Sequence, residues 1–155
     1  MRRRRSRGGE GGFSAVEWTL GIGALVLPIV IGVMSIAPML DRLTTARVAA
    51  QEAARAMVLA DDWDGGLAAA ESLAAQIVRN HGIPDAEWCA GAPASGCVWL
   101  RIGGDSPGVL GRGTEVTVTV QVPAPAVSIP FLGDFGGVDL TGSHTERVDD
   151  YRSFP

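Results

Sequence analysis

The stretch EWTLGIGALVLPIVIGVMSIAPMLD, residues 17–41, decides the fold because it holds a long apolar run between two carboxylates. From Trp18 to Leu40, twenty-three residues carry no charge. As an α-helix rising ~1.5 Å per residue, this run is about 34 Å long, enough to cross a ~30 Å hydrocarbon core. Pro28 and Pro38 lie within it, and proline is better tolerated in membrane helices than in soluble ones. The run predicts a transmembrane helix.

Charge is distributed unevenly along the chain. All thirteen basic residues are arginines, and five of them precede residue 8, whereas Glu10 is the one acid among the first twelve residues. The remainder carries eight arginines and sixteen acids, a net charge of −8, which argues against a nucleic-acid partner. Beside an apolar run, the arginine cluster predicts a cytoplasmic N-terminus, with residues 41–155 on the other side of the membrane.

Two ordinary membrane-targeting interpretations compete for this segment. A cleaved secretory signal needs a short apolar region followed by small residues of the A-x-A type. The nearest match is Ser35-Ile36-Ala37, and Pro38 directly after it should block cleavage. An uncleaved signal anchor is the stronger of the two alternatives.

The residues before the apolar run resemble the processing site of type IV prepilins and pseudopilins. In GGFSAVEW, residues 11–18, a glycine precedes a hydrophobic residue, three further residues and a glutamate. The resemblance implies that a prepilin peptidase cuts between Gly12 and Phe13 on the cytoplasmic side. Phe13 would become the new, usually N-methylated, first residue, and Glu17 the fifth. A freed amine and a carboxylate in apolar surroundings are each costly unless paired, so pairing between neighbouring subunits would fix their axial register.

The segment DRLTTARVAAQEAARAMVLA, residues 41–60, predicts that the membrane helix continues as an amphipathic stalk. Apolar residues recur at helical spacing, and charged residues mostly lie on the opposite face. The apolar positions are Leu43, Ala46, Ala50, Ala53, Met57 and Ala60. This stripe is suited to packing on other helices or on the chain's own globular part, and both remain open.

Together, residues 11–32 (GGFSAVEWTLGIGALVLPIVIG) and 46–56 (ARVAAQEAARA) resemble the TadE-like (TadE/TadG) pseudopilins of tight-adherence, or Flp-type, pilus systems of GC-rich actinobacteria. The motifs cover about residues 1–60, and the rest matches in character only. Glu17-Trp18 departs from the Glu-Tyr common in the major pilins. The resemblance implies a minor pseudopilin, a structural or assembly subunit of the pilus. Its expected partners are other pilin and pseudopilin subunits, prepilin peptidase, the pilus inner-membrane platform and membrane lipid.

The alternative to the pseudopilin is an uncleaved single-pass membrane protein whose extracytoplasmic domain binds a partner. It requires neither a peptidase nor a special role for Glu17. Under the pseudopilin interpretation, residues 1–12 are a cleaved cytoplasmic leader, 13–40 the transmembrane helix, 41–60 the stalk and 61–155 an extracytoplasmic α+β domain.

The expected α+β domain combines a helix with a short antiparallel sheet. Asp64 is the expected N-cap of a helix that stops at Gly82 and Pro84. Strands are expected at residues 97–102, 114–122 and 138–148, joined by a glycine-rich hairpin loop at 103–113. In the second strand, Val116, Val118, Val120 and Val122 share one face. Pro123, Pro125 and Pro130 are expected to end this strand and begin an irregular segment.

Cys89 and Cys97 enclose seven residues. In an extracytoplasmic domain, a disulfide is the natural interpretation. A zinc site that adds His81 or His144 is the alternative, although the spacing is unusual for zinc, and free thiols remain another. No metal or other cofactor is expected.

One enzyme-like motif occurs, because residues 104–108 satisfy the pattern G-x-S-x-G with Ser106 at its centre. A nucleophile elbow needs a preceding strand, a following helix and a large parallel sheet. Here VLGRG follows the motif and another strand comes next, so a hairpin turn is favoured. The sequence therefore predicts a protein that is not an enzyme.

Overall fold

The computed structural model describes residues 11–89, 93–129 and 131–151, without the side chains of residues 11–14 and 86. Two helices, α1 (Gly11–Leu59) and α2 (Trp63–Asn80), come first and are followed by a short 3₁₀ helix at Asp85–Glu87. Three strands, β1 (Trp99–Gly104), β2 (Glu115–Ile129) and β3 (Gly133–Arg147), form an antiparallel sheet in the order β1-β2-β3. The predicted α+β class is confirmed.

Helix α1 runs without interruption through Pro28 and Pro38. Its first part, residues 15–40 (the apolar segment), leaves nearly all of its side chains exposed. Within the described residues, Ala15–Leu59 is the one helix long and apolar enough to cross a membrane, and its most apolar stretch of 18 residues has a mean hydropathy of 2.4 and is 6% buried. This helix is consistent with a single-pass membrane protein.

The second part of α1, residues 41–59 (the core segment), supplies much of the hydrophobic core. Its buried apolar residues pack against α2, β2 and β3. They are Ala46, Ala49, Ala50, Ala53, Ala54, Met57 and Val58. The apolar stripe expected in the stalk therefore faces the chain's own folded body, defined here as residues 41–151.

The helix and the sheet approach each other closely at Gly142 of β3. A Cβ atom built on Gly142 would lie 2.5 Å from the carbonyl carbon of Ala46 and 2.5 Å from the amide nitrogen of Arg47. A side chain at position 142 would therefore collide with the backbone of α1. The lack of a side chain at Gly142 lets α1 lie directly against β3.

Helix α2 is capped by Asp62 rather than by Asp64. Asp62 has extended backbone geometry, and its carboxylate accepts a hydrogen bond from the Gly65 amide at 2.7 Å. Asp64 lies in the first turn, where its charge is favourable to the helix dipole. The prediction of Asp64 as the N-cap was therefore wrong by half a turn. The stop at Gly82 is confirmed, since the helix ends at Asn80 and Gly82 has a positive φ of 76°.

Strand β2 continues through Pro123 and Pro125 to Ile129, so the expectation that these prolines end the strand was wrong. The carbonyl of Glu115 faces β1, because it accepts from the Asp105 amide, whereas the Thr114 carbonyl accepts from Val148 on the β3 side. In a strand, the amide and the carbonyl of one residue point to the same side, and successive residues alternate. Pro123 and Pro125 follow Glu115 by even numbers of residues, so their nitrogens also point to the β1 side. That side is open there, because the last β1 pair is Trp99 with Gln121. Proline is tolerated at such a free edge.

The alternating pattern of β2 is confirmed. Its four valines at positions 116, 118, 120 and 122 are fully buried. β3 begins at Gly133, five residues earlier than expected, because it pairs with the extended part of β2. Pro130 lies outside the described residues.

Candidate functional site

The expected processing site lies at the very start of α1. The backbone of Gly12 and Phe13 is helical, because α1 begins at Gly11. Residues 1–10, most of the expected leader, lie outside the described residues, as does the side chain of Phe13. The Gly12–Phe13 peptide bond, where cleavage is expected, therefore lies within the first turn of a helix.

Glu17 lies one turn after Phe13 on the same side of α1, because residues four apart are neighbours on a helix surface. Its side chain is exposed, and it forms no hydrogen bond or ion pair with any residue that the structure describes. The carboxylate is therefore available to a group on another molecule.

The surface around Glu17 is apolar. Glu17 borders a shallow groove that is completed by Trp18, Gly21, Ile22 and Leu25. Trp18 is 71% exposed and Leu25 is 67% exposed, while a Cβ built on Gly21 would meet nothing within 4 Å. The carboxylate thus lies on the rim of a notch that a side chain of a neighbouring helix could enter.

The two cysteines lie together in the structure. Cys89 and Cys97 are at disulfide distance, with their Cα atoms 5.2 Å apart. Trp88, next to Cys89, forms a β-bridge with Val98, next to Cys97. The pair closes a loop that comes directly before β1 in the chain.

Two sheet residues that the sequence analysis did not single out anchor this loop. The side-chain amide of Gln121 donates to the carbonyls of Ala94 and Cys97, at 2.9 and 3.3 Å. The carboxylate of Asp139 accepts from the Gly96 amide at 2.9 Å and from the Ser95 hydroxyl. Nothing local marks them in the sequence, because the contacts depend on strand pairing.

The histidines are paired with carboxylates rather than grouped with the cysteines. His81 Nδ1 lies 3.6 Å from Asp41, and His144 Nε2 lies 2.9 Å from Glu146. Over residues 11–89, 93–129 and 131–151, no group of three or more His, Cys, Asp and Glu side chains is arranged to hold a metal ion.

Ser106 lies in the connector between β1 and β2. Its carbonyl accepts a hydrogen bond from the Val109 amide at 3.1 Å, and Gly108 has a positive φ of 90°. The element that follows is the antiparallel strand β2 rather than a helix, so the geometry of a nucleophile elbow does not form at this position.

Ser35 is a further residue that the sequence analysis did not assign a role. Its hydroxyl donates to the Ile31 carbonyl at 2.8 Å and accepts from the Ser128 amide at 3.1 Å. It therefore ties the apolar segment of α1 to β2. A polar residue within the uncharged run was the signal that could have found it.

No family model matches this chain, and no curated protein and no solved structure matches it either.

Proposed function

We propose that this chain is a minor pseudopilin of the TadE-like type, a structural or assembly subunit of a Tad/Flp pilus. Prepilin peptidase cuts it between Gly12 and Phe13, and the apolar segment of α1 then holds it in the membrane. The arginine-rich N-terminus lies in the cytoplasm, and the folded body lies outside it. Its partners are other pilin and pseudopilin subunits, the peptidase and the pilus inner-membrane platform.

The observation that carries this proposal is the carboxylate of Glu17, which has no partner among the described residues and lies on an exposed apolar helix. An ionisable group in a membrane segment is costly and is usually kept for a function. Among the described residues, none neutralises Glu17. A terminal amine at Phe13 of a neighbouring subunit would provide the opposite charge, and the pair would set the axial register of two packed helices.

The shape of α1 also supports the proposal. One unbroken helix joins the apolar segment to the core segment, so no linker separates Glu17 from the folded body. A subunit that packs by its helix into a filament or an assembly complex needs such a direct connection. An uncleaved anchor would need neither this connection nor Glu17.

The first test is the N-terminus of the native protein. We expect intact-mass and N-terminal analysis of protein from its own host to show loss of residues 1–12, leaving 143 of the 155 residues. Gly12→Leu should accumulate the full-length chain, because it alters the residue before the expected cut. Gly11→Leu is the matched control and should be processed normally. Native protein that retains Met1 would contradict the proposal and favour the uncleaved single-pass alternative.

The second test concerns Glu17. We expect Glu17→Gln, which keeps the size and removes the charge, to insert in the membrane normally but to be lost from sheared pili or from the isolated assembly complex. Thr19→Ala is the control, because Thr19 is a nearby exposed polar residue whose hydroxyl, within the described part of the chain, bonds only the Ala15 carbonyl of its own helix. Normal incorporation of the Glu17→Gln chain would refute the register role.

A further inference from the structure

The β2–β3 hairpin extends well beyond β1. β1 pairs with β2 only as far as Gln121, while β2 and β3 remain paired down to Ile129 and Gly133. The two-stranded part beyond Gln121 is called the extension here. At its end, Phe131, Leu132 and Phe135 (the tip residues) are 108%, 71% and 50% exposed.

The extension runs along α1 toward the apolar segment. Gly142 of β3, which is paired with Val120, lies against Ala46 of α1, whereas the Ser128 amide bonds the Ser35 hydroxyl. From Ala46 to Ser35 the helix descends about 16 Å toward its N-terminus. β2 therefore travels in the direction of the membrane-crossing part of the chain.

The depth of the extension follows from the part of α1 that the bilayer covers. About twenty helical residues cross a ~30 Å hydrocarbon core, so a crossing that begins near Glu17 ends near Ile36, level with Ser35 and Ser128. Ala126 and Val127 line an open apolar groove together with Pro28, Ile31, Gly32 and Ile36 of α1. The tip residues, which come after Ser128, thus lie at the level of the part of α1 that carries no charge.

From this geometry we propose that the tip of the β2–β3 hairpin is a second membrane contact, which inserts shallowly into the lipid leaflet on the side of the folded body. Once α1 crosses the bilayer, the bond between Ser35 and Ser128 brings the tip residues to lipid without any further movement. Three large apolar side chains then leave water for the acyl boundary, which is favourable in proportion to the area buried.

The insertion is shallow for two reasons. The outer edges of a two-stranded ribbon carry unpaired backbone groups, which are not tolerated within the hydrocarbon core. Asp134, paired with Ser128, also lies near the tip and needs water or headgroups. The tip therefore rests where the headgroups meet the acyl chains, a position that favours amphipathic and aromatic side chains.

The conformation of Phe131 is consistent with a role for its ring. Phe131 has a φ of 69°, a region that bulky residues other than glycine rarely occupy. A smaller residue would suit this turn better on steric grounds. The aromatic ring is held at the most exposed point of the turn in spite of that cost.

This inference rests on the membrane insertion of α1 and not on the pseudopilin role. Its test uses the full chain in nanodiscs of phosphatidylcholine and phosphatidylglycerol, loaded with one copy per disc. A nitroxide is attached to Phe131→Cys, and its collisions with oxygen and with a water-soluble nickel complex are compared. Unsubstituted protein must take up no label, which checks that Cys89 and Cys97 are closed.

Two control positions frame the measurement. Leu27→Cys, on an apolar residue of α1 that is 63% exposed, reports whether α1 lies in the bilayer. Val109→Cys is 59% exposed in the connector at the opposite end of the sheet and should remain in water. We expect the label at position 131 to lose nickel access relative to position 109 and to gain oxygen access.

Equal nickel access at positions 131 and 109, with position 27 protected, would overturn the proposal while leaving the membrane helix intact. Nickel access at position 27 as well would overturn it together with its premise. Protection of position 131 only in discs that hold several copies would also overturn it, because a second chain rather than lipid would then cover the tip.

Discussion

Gly142→Ala tests the close approach between α1 and the sheet at β3. The new methyl group would lie 2.5 Å from backbone atoms of Ala46 and Arg47, where ordinary contacts begin at 3.4 Å. The helix and β3 would have to separate by about 1 Å, because neither backbone can rotate away as a side chain could. This movement would loosen the contact of the buried α1 alanines with the valines of β2.

The expected change in the free energy of unfolding of Gly142→Ala has two opposing parts. Overpacking of a well-filled core costs roughly 1–3 kcal/mol. Replacing a glycine within a strand by alanine returns about 0.5–1 kcal/mol. We therefore expect a net loss of roughly 1–2 kcal/mol in the free energy of unfolding. For a folded body of this size, the melting temperature should fall by about 4 °C per kcal/mol.

The assay is urea and thermal unfolding of the full chain in a mild detergent, followed by tryptophan fluorescence. Gly137→Ala is the matched control on the same strand, because a Cβ built there meets nothing within 4 Å. Its stability should be unchanged or slightly raised. A Gly142→Ala protein as stable as the Gly137→Ala protein would refute the direct contact between α1 and β3.

Two further predictions concern local features of the folded body. Asp62→Ala should lower the free energy of unfolding by about 1 kcal/mol, because α2 loses its N-cap. Asp62→Asn keeps a hydrogen-bond acceptor and should cost little. If urea unfolding shows that both variants lose the same free energy, the capping role of Asp62 is wrong. Cys89 and Cys97 should resist alkylation until a reductant is added, as read by intact mass. Because the closed loop is short, opening it should cost only about 2.5 kcal/mol; alkylation of both thiols without reductant would exclude the disulfide.

The sequence predicted those parts of the fold that depend on local pattern. The uncharged run marks the apolar segment of α1, and the alternation of Val116 to Val122 marks the buried face of β2. The stop at Gly82 is equally local. In each case one short stretch of sequence carries the whole signal. The signals are the length of the apolar run, the alternation of valines and a glycine that can adopt a positive φ.

The sequence could not predict features that arise from the meeting of distant segments. Pro123 and Pro125 remain within β2 because β1 ends beside Gln121, and only strand register reveals that free edge. The packing of α1 against β3 at Gly142 and the anchoring of the cysteine loop by Asp139 likewise depend on tertiary contacts. For the candidate site, Glu17 was found from sequence because a carboxylate in an apolar run is conspicuous.

Helix α1 continues from its exposed apolar segment into the folded body, and this continuity has a mechanical consequence. No flexible linker separates the apolar segment from the folded body, so a force or torque applied to the folded body is passed along the helix to its N-terminal turn. Cleavage after Leu59 would separate the sheet from the α1 residues that fill its core. Cleavage near Asp41 would instead release a folded body that keeps the core segment of α1.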